Sequence, residues 1–158
     1  MWKKIKPYVI AIAIALAVGG LSALFTKNNM DVYERINRPM LAPPMIVFPI
    51  VWSVLFILMG IGSAIVYLNR YKDFDTASSA LKIYAFQLVV NFFWSIIFFN
   101  LQAYLFAFIW LIVLWILILL MIIQFYKISP LAAYLQIPYL LWVTFAGYLT
   151  FMIYLLNG

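Results

Sequence analysis

Five long apolar runs constrain the fold of this chain more than any other feature of its sequence. Each is close to the length of about 20 mostly apolar residues that an α-helix needs to cross a bilayer. The runs cover residues 8–25, 46–68, 80–99, 103–125 and 131–155. Their apolar residues are continuous and do not alternate with polar ones, which argues against a transmembrane β-barrel. The sequence therefore predicts an all-α integral membrane protein, a bundle of five transmembrane helices forming a single domain over residues 1–158.

The composition supports this class and excludes several kinds of site. The chain is 69% hydrophobic and 9% charged, whereas soluble domains are about half apolar and about a quarter charged. It contains no cysteine and no histidine, so a disulfide framework, a thiolate nucleophile, a Cys/His zinc site and an axial histidine for haem are all excluded. We expect no metal site and no required cofactor.

The acidic residues argue against two further functions. All four carboxylates lie between the apolar runs: Asp31, Glu34, Asp73 and Asp75. Acid–base catalysis and proton-coupled transport inside the bundle both require an ionisable group at membrane depth. The predicted spans contain no acidic residue, and Lys82, at the entrance of the third span, can extend its ammonium group to the interface, so no ionisable group is expected at membrane depth.

The first run has an alternative interpretation. The segment KKIKP before an Ala-rich stretch resembles a signal peptide. The apolar part is longer than a usual signal core, and Gly19, Ser22 and Ala23 are typical of helix packing. We predict a retained transmembrane helix.

The basic residues predict an orientation. A net charge of +6 can indicate nucleic-acid binding, but these residues stand at the ends of apolar runs, as in membrane proteins, and we expect no nucleic-acid partner. With five spans, one side of the bilayer receives Lys3, Lys4, Lys6, Arg70, Lys72, Lys82 and Lys127, and the other receives Lys27, Arg35 and Arg38. The positive-inside rule then places the N-terminus in the cytoplasm and Gly158 outside.

A long segment, TKNNMDVYERINRPMLAPPM, joins the first two runs. Loops longer than about 12–15 residues are usually lids, binding loops or disordered, and the aromatic and apolar content of this segment disfavours disorder. We predict a folded lid over the outer end of the bundle, with one helical turn in DVYERI that Asp31 caps.

Four prolines stiffen the stretch RPMLAPPMIVFPIVW, which leads from this loop into the second run: Pro39, Pro43, Pro44 and Pro49. Proline suits the first turn of a helix, and Pro44 is one candidate for that role. Restricted backbone freedom also lowers the entropy lost when a segment closes over a ligand. We interpret the stretch as a wall of a binding site beneath the lid.

Three predicted helices carry a tryptophan on a face with polar, aromatic or small neighbours. Helical spacing groups Gln87 with Asn91 and Trp94, Trp142 with Ala146 and Thr150, and Trp52 with Phe56 and Met59. Such faces could line one flat cavity for a large planar apolar ligand, held by stacking and a few hydrogen bonds. Spacing alone leaves the alternative open, in which aromatic residues face lipid and amides bridge helices.

Four motifs, in order along the chain, resemble those of the TspO/MBR family, the translocator or tryptophan-rich sensory proteins. They are RPMLAPPMIVFPIVW, MGIGSAIV, FQLVVNFFWSIIFF and SPLAAYLQIPYLLWVTFAGYLT. The resemblance extends from Gly19 almost to the C-terminus. It implies a five-helix bundle, usually a homodimer, that binds porphyrins, haem-pathway tetrapyrroles, sterols and benzodiazepine-type drugs.

The resemblance also implies particular site residues. Carried over by motif, the ligand-binding positions are Tyr33, Pro43, Trp52, Asn91, Trp94, Trp142 and Ala146. Helical spacing adds Phe56 and Gln87 to these ligand-binding candidates. Some bacterial members are reported to degrade protoporphyrin with light and oxygen, which implies a catalytic role for Trp52 and Trp142.

Two departures from the family pattern narrow these expectations. The family often reads KPSWTPP where this chain reads RPMLAPP, so Met40 or Leu41 replaces a lid tryptophan. Tyr154 is followed only by LLNG, so the basic residue of the animal cholesterol motif is absent and sterol transport is not predicted. The short tail fits a bacterial cytoplasmic-membrane protein.

Three functions remain open from the sequence. The first is a receptor-like protein for a porphyrin or another planar hydrophobic ligand, with or without turnover. The second is a transporter of tetrapyrroles or other small hydrophobic molecules. The third is an assembly scaffold whose cavity is filled by lipid.

Overall fold

The computed structural model describes residues 2–157 and contains seven α-helices within that range. They are α1 (Trp2–Thr26), α2 (Val32–Arg35), α3 (Val47–Leu68), α4 (Phe74–Ser95), α5 (Tyr104–Ile128), α6 (Pro130–Tyr134) and α7 (Ile137–Asn157). A π-helical turn over Ile96–Asn100 extends α4. Within the described range, five helical segments are long and apolar enough to cross a membrane: Trp2–Asn29, Val47–Leu68, Phe74–Asn100, Tyr104–Ile128 and Pro130–Asn157. The predicted five-helix membrane bundle is confirmed.

Two helices begin about six residues earlier than the apolar runs suggest. Helix α1 begins at Trp2 and includes three lysines and Pro7, because long lysine side chains can extend their ammonium groups towards water while the backbone stays helical. Helix α4 begins at Phe74 because Asp73 caps it, accepting from the Thr76 backbone N–H at 3.1 Å and the Thr76 hydroxyl at 2.7 Å. Hydropathy marks the apolar part of a helix and misses such polar first turns.

The last span is broken near its start. Ser129 caps α6, with Pro130 at its first position. The chain then turns at Leu135 and Gln136 before α7 begins. The Gln136 side chain donates to the Leu58 carbonyl at 3.1 Å, which ties this break to α3.

Helix α1 lies on the edge of the bundle and packs mainly against α3. At Gly60 the two helices approach so closely that an added Cβ would lie 2.5 Å from the Ile12 Cα. At Gly19 an added Cβ would lie 2.5 Å from the Phe56 ring. These glycines therefore serve packing within the chain, because nothing larger fits between the helices.

Helix α5 packs between α4 and α7 and forms the back of the bundle. Its half-buried tryptophans fasten it to both neighbours, because Trp110 donates to the Val90 carbonyl at 2.7 Å and Trp115 donates to the Thr144 hydroxyl at 2.9 Å. Both tryptophans thus form interhelical hydrogen bonds, which membrane bundles commonly use.

The loop between α1 and α3, residues 27–46, is folded as predicted and is called the lid below. It contains a 3₁₀ turn at Lys27–Asn29 and the single turn α2. The expected side-chain cap is absent: Asp31 stands at the N-cap position, but its carboxylate pairs with Arg35, with Nε and Oδ2 3.5 Å apart. Opposite charges one turn apart compete for the carboxylate that would otherwise cap.

Asparagine side chains hold the lid at both ends. Asn29 donates to the Asn100 side-chain oxygen at 2.8 Å, and Asn100 donates to the Phe25 carbonyl at 3.0 Å. At the other end, the backbone N–H of Asn37 donates to Asn157 Oδ1 at 3.0 Å, and Asn157 Nδ2 donates back to the Asn37 carbonyl at 2.8 Å. The lid is thus fixed to the end of α4 and to the end of α7.

Candidate ligand-binding cavity beneath the lid

A cavity of about 730 Å³ lies beneath the lid, between α1, α3, α4 and α7. Helix α5 contributes no lining residue. The volume falls within the range of about 300–1,000 Å³ that small-molecule sites occupy. Its surface is mostly apolar, which suits a hydrophobic ligand.

An aromatic wall runs from the lid into the bundle. The Tyr33 ring lies 4.9 Å from Phe48, and Phe48 lies 5.7 Å from Trp142. Trp52 then lies 6.5 Å from Trp142 and 5.7 Å from Phe56, measured between ring centroids. Most of these contacts are edge-to-face, so the rings hold one another in fixed orientations.

Tyr33 closes the upper end of this wall. It is 2% exposed, and its hydroxyl donates to the Pro43 carbonyl at 2.6 Å. Burial raises the pKa of the Tyr33 hydroxyl, while the Arg38 guanidinium, whose carbon lies 4.8 Å from the ring centroid, acts in the opposite direction. Tyr33 therefore remains a neutral donor that ties the helical turn of the lid to the proline-rich part of the lid.

The polar side chains of α1 at the cavity, Ser22 and Thr26, already donate hydrogen bonds to backbone carbonyls. The Ser22 hydroxyl donates to the Phe92 carbonyl at 3.3 Å, and the Thr26 hydroxyl donates to the Ser22 carbonyl at 2.9 Å. Gly19, Gly20 and Ala23 complete this side of the cavity. The α1 wall is consequently flat and largely apolar.

Beneath the cavity, three side chains form one buried hydrogen-bonded chain. Asn91 Nδ2 donates to the Tyr139 hydroxyl at 2.7 Å, and that hydroxyl donates to Gln87 Oε1 at 2.7 Å. Gln87 Nε2 then faces the Met59 sulfur at 3.9 Å. Helix α4 is thereby joined to both α7 and α3.

Two buried indole N–H groups near the cavity have no hydrogen-bond partner within residues 2–157: those of Trp94 and Trp142. Buried polar groups are nearly always paired, so each exception calls for an explanation. Trp94 lines the cavity, so a ligand carbonyl or carboxylate could accept from its N–H, whereas Trp142 does not line it.

The structure brings six of the predicted ligand-binding residues to the cavity surface: Tyr33, Trp52, Phe56, Asn91, Trp94 and Ala146. Three others do not line it. Pro43 holds Tyr33 through its carbonyl, Gln87 lies one turn below Asn91, and Trp142 packs against Phe48 and Trp52.

Sequence reasoning missed several lining residues. Phe48 precedes Trp52 and Phe56 at the same four-residue spacing, so extending that face by one turn would have found it. Leu149 and Ile153 continue the face of Ala146 in the same way. The α1 residues were interpreted only as packing positions, and no signal in the sequence shows that they also bound a cavity.

The part of the chain that the structure describes contains no group of three or more His, Cys, Asp or Glu side chains that could hold a metal ion. The cavity offers stacking surfaces and neutral hydrogen-bonding groups in the bundle, with the carboxylates of Asp31 and Glu34 on its lid side. Such an arrangement can bind and orient a planar molecule.

These features define a five-helix integral membrane protein with an apolar cavity beneath a folded lid. The family model for the TspO/MBR family matches residues 11–156, and the chain belongs to that family. It is 37% identical to the tryptophan-rich protein TspO of Chlorobaculum tepidum, over 99% of each chain. It is also 33% identical to the protein CrtK of Rhodobacter capsulatus, over 95% of this chain and 90% of the relative. With the bovine translocator protein it shares 30% identity over 92% of this chain and 88% of the relative.

Proposed function

We propose that this protein is a receptor-like membrane protein that binds a planar hydrophobic ligand beneath the lid, foremost a porphyrin or another haem-pathway tetrapyrrole. Benzodiazepine-type drugs would occupy the same cavity. The observation that carries the proposal is the 730 Å³ cavity with its wall of Tyr33, Phe48, Trp52 and Phe56. A flat macrocycle gains most from such a surface, because each stacked ring buries a large apolar area.

The unpaired indole N–H of Trp94, which lines the cavity, supports the same ligand class. A hydrogen bond to a charged group contributes about 1.5–3 kcal/mol, more than a neutral one. A tetrapyrrole with carboxylate substituents supplies an acceptor for this donor. Stacking would provide most of the affinity, and the Trp94 indole would orient the ligand.

Titration of the purified protein with protoporphyrin in lipid nanodiscs, in darkness, tests binding through quenching of tryptophan fluorescence. Ala146→Phe places a ring inside the cavity and should abolish saturable quenching. Leu141→Phe adds the same ring on α7 at a side chain that is 63% exposed, and should bind as the wild type does. Equal binding by Ala146→Phe and Leu141→Phe would refute the cavity as the site.

We propose further that light and molecular oxygen degrade the bound porphyrin at Trp52 and Trp142. These indoles lie 6.5 Å apart and nearly perpendicular, so Trp52, which lines the cavity, can stack on an excited macrocycle while Trp142, packed against it, supplies a second oxidisable ring. The double variant Trp52→Phe with Trp142→Phe should fold but lose light-dependent porphyrin consumption. Trp115→Phe, on α5 outside the cavity, is the matched control. An unchanged rate in the double variant would refute this part.

The transporter hypothesis is separated from the receptor by uptake into sealed vesicles. Uptake of protoporphyrin that requires the protein, saturates and is blocked by Ala146→Phe would favour transport. A lipid-filled scaffold would show no saturable quenching at all.

We propose that the protein is a homodimer in the bacterial cytoplasmic membrane, with the N-terminus in the cytoplasm and the C-terminus outside. Gly158 itself lies outside the described residues.

A further inference from the structure

The buried chain of hydrogen bonds beneath the cavity has a fixed direction. It begins at Met59, whose sulfur lies 3.9 Å from Gln87 Nε2. A thioether sulfur accepts hydrogen bonds and has no proton to donate. The amide end of Gln87 that faces Met59 must therefore be the NH₂ group, which turns Oε1 towards Tyr139.

This direction is passed on to the cavity. The Tyr139 hydroxyl has a single proton and donates it to Gln87 Oε1 at 2.7 Å. Towards Asn91 it can then only accept, so Asn91 presents Nδ2 to it at 2.7 Å. The remaining carbonyl atom, Asn91 Oδ1, has no hydrogen-bond partner among residues 2–157, and Asn91 lines the cavity.

We infer that Met59, Gln87 and Tyr139 are positioning residues that fix Asn91 Oδ1 as a hydrogen-bond acceptor of the cavity, so that the part of the cavity beside Asn91 favours a ligand N–H or O–H over a ligand carbonyl. The inference rests on the proposed function, because it requires a ligand in this cavity. None of the three positioning residues lines the cavity. They act on the ligand only through Asn91, because Tyr139 contacts Asn91, Gln87 contacts Tyr139, and Met59 contacts Gln87.

A purely structural role for the chain predicts something different. If these bonds only hold α4 to α3 and α7, breaking them lowers the affinity for every ligand by the same factor. A positioning role instead changes which ligand is preferred. The ratio of the affinities for two ligands is therefore a readout that a loss of helix packing alone does not change.

Carbazole and 9-fluorenone are suitable probes because both are planar tricyclic molecules. Carbazole carries an N–H at its central edge, and 9-fluorenone carries a C=O at the same position. We expect the ratio of carbazole to 9-fluorenone affinity to be about three- to tenfold higher in the wild-type protein in nanodiscs than in a variant that turns Asn91 Oδ1 away, the net contribution of one neutral hydrogen bond. The comparison is between proteins because the Trp94 N–H can donate to 9-fluorenone in each of them. The measurement is calorimetric titration, with partitioning into protein-free nanodiscs subtracted.

Gln87→Leu gives the sharpest test. Without Gln87, the Tyr139 hydroxyl can donate to Asn91 Oδ1, and the Asn91 amide turns its NH₂ group to the cavity. The ratio of carbazole to 9-fluorenone affinity should then fall by about three- to tenfold. Gln136→Leu removes an equally buried amide that has no bond to this chain, and it should keep the wild-type ratio. An unchanged ratio in Gln87→Leu overturns the inference.

Tyr139→Phe provides an independent variant should Gln87→Leu fail to fold. It removes the hydroxyl that orients Asn91, so the ratio of the two affinities should fall below that of the wild type. A ratio equal to that of the wild type overturns the inference as well. Protoporphyrin binding is measured on the same samples. If protoporphyrin does not bind but the ratio of carbazole to 9-fluorenone affinity changes in the variants, only the proposed ligand is refuted. If protoporphyrin binds but this ratio does not change, only the positioning role is refuted.

Discussion

Replacing Gly60 by alanine tests how closely α1 and α3 must approach. A Cβ at Gly60 would lie 2.5 Å from the Ile12 Cα and 2.7 Å from its backbone nitrogen, whereas non-bonded carbon atoms rest about 3.5–4.0 Å apart. Because both contacts are main-chain atoms, no rotamer change relieves the overlap. The helices must therefore separate by about 1 Å at this crossing.

Overpacking of this kind costs about 1–3 kcal/mol, which lowers the Tm of a chain of this length by about 2–12 °C. The matched control is Gly147→Ala, where the added Cβ would lie 3.8 Å from Leu111 Cδ2, an ordinary contact. Alanine raises helix propensity equally in both variants, so the difference between them isolates the clash. Thermal unfolding in detergent, followed by circular dichroism, measures it. A Gly60→Ala protein that melts at or above the Gly147→Ala protein would refute the reasoning.

Three further predictions concern the loops. Asp73→Ala should destabilise the start of α4 more than Asp73→Asn, which keeps a capping oxygen for the Thr76 N–H. The Thr76 hydrogen bonds lower the pKa of the Asp73 carboxyl, so its advantage over Asn should be present at neutral pH and lost as the pH falls below the ordinary aspartate value, which acid titration of both proteins checks. Asn157→Ala removes two hydrogen bonds to Asn37 and should speed hydrogen exchange of the lid without changing that of α5. Because burial raises the pKa of the Tyr33 hydroxyl, its contribution to lid closure is complete below pH of about 10 and is lost at higher pH. Ligand affinity should therefore decline above that pH in the wild type and show a smaller alkaline decline in Tyr33→Phe.

The fold could be predicted from the sequence because apolar length alone determines how many helices cross a bilayer. The ends of those helices could not, since polar first turns such as the one capped by Asp73 carry no hydropathy signal. The capping prediction for Asp31 was wrong because Arg35, one turn away, takes the carboxylate. Local sequence shows which partners are possible, and tertiary packing decides among them.

The cavity could be predicted from the sequence only in part, because helical spacing describes one helix at a time. Helical spacing places residues around the axis of a helix, so it correctly grouped Asn91 with Trp94. It contains no information on what covers each turn, so it could not show that Tyr139 closes over Gln87. It also could not show that Trp142 packs against Phe48 and Trp52 and does not line the cavity.

The asparagine bonds that fix the lid have a consequence for how the protein responds to its surroundings. Asn29, Asn37, Asn100 and Asn157 carry no charge, and the ion pair of Asp31 with Arg35 lies wholly within the lid. Opening the lid at either end therefore breaks neutral hydrogen bonds and separates no opposite charges. Screening by salt acts only on charged pairs, so the rate at which the lid exchanges an uncharged ligand such as carbazole should stay constant from dilute buffer to high ionic strength.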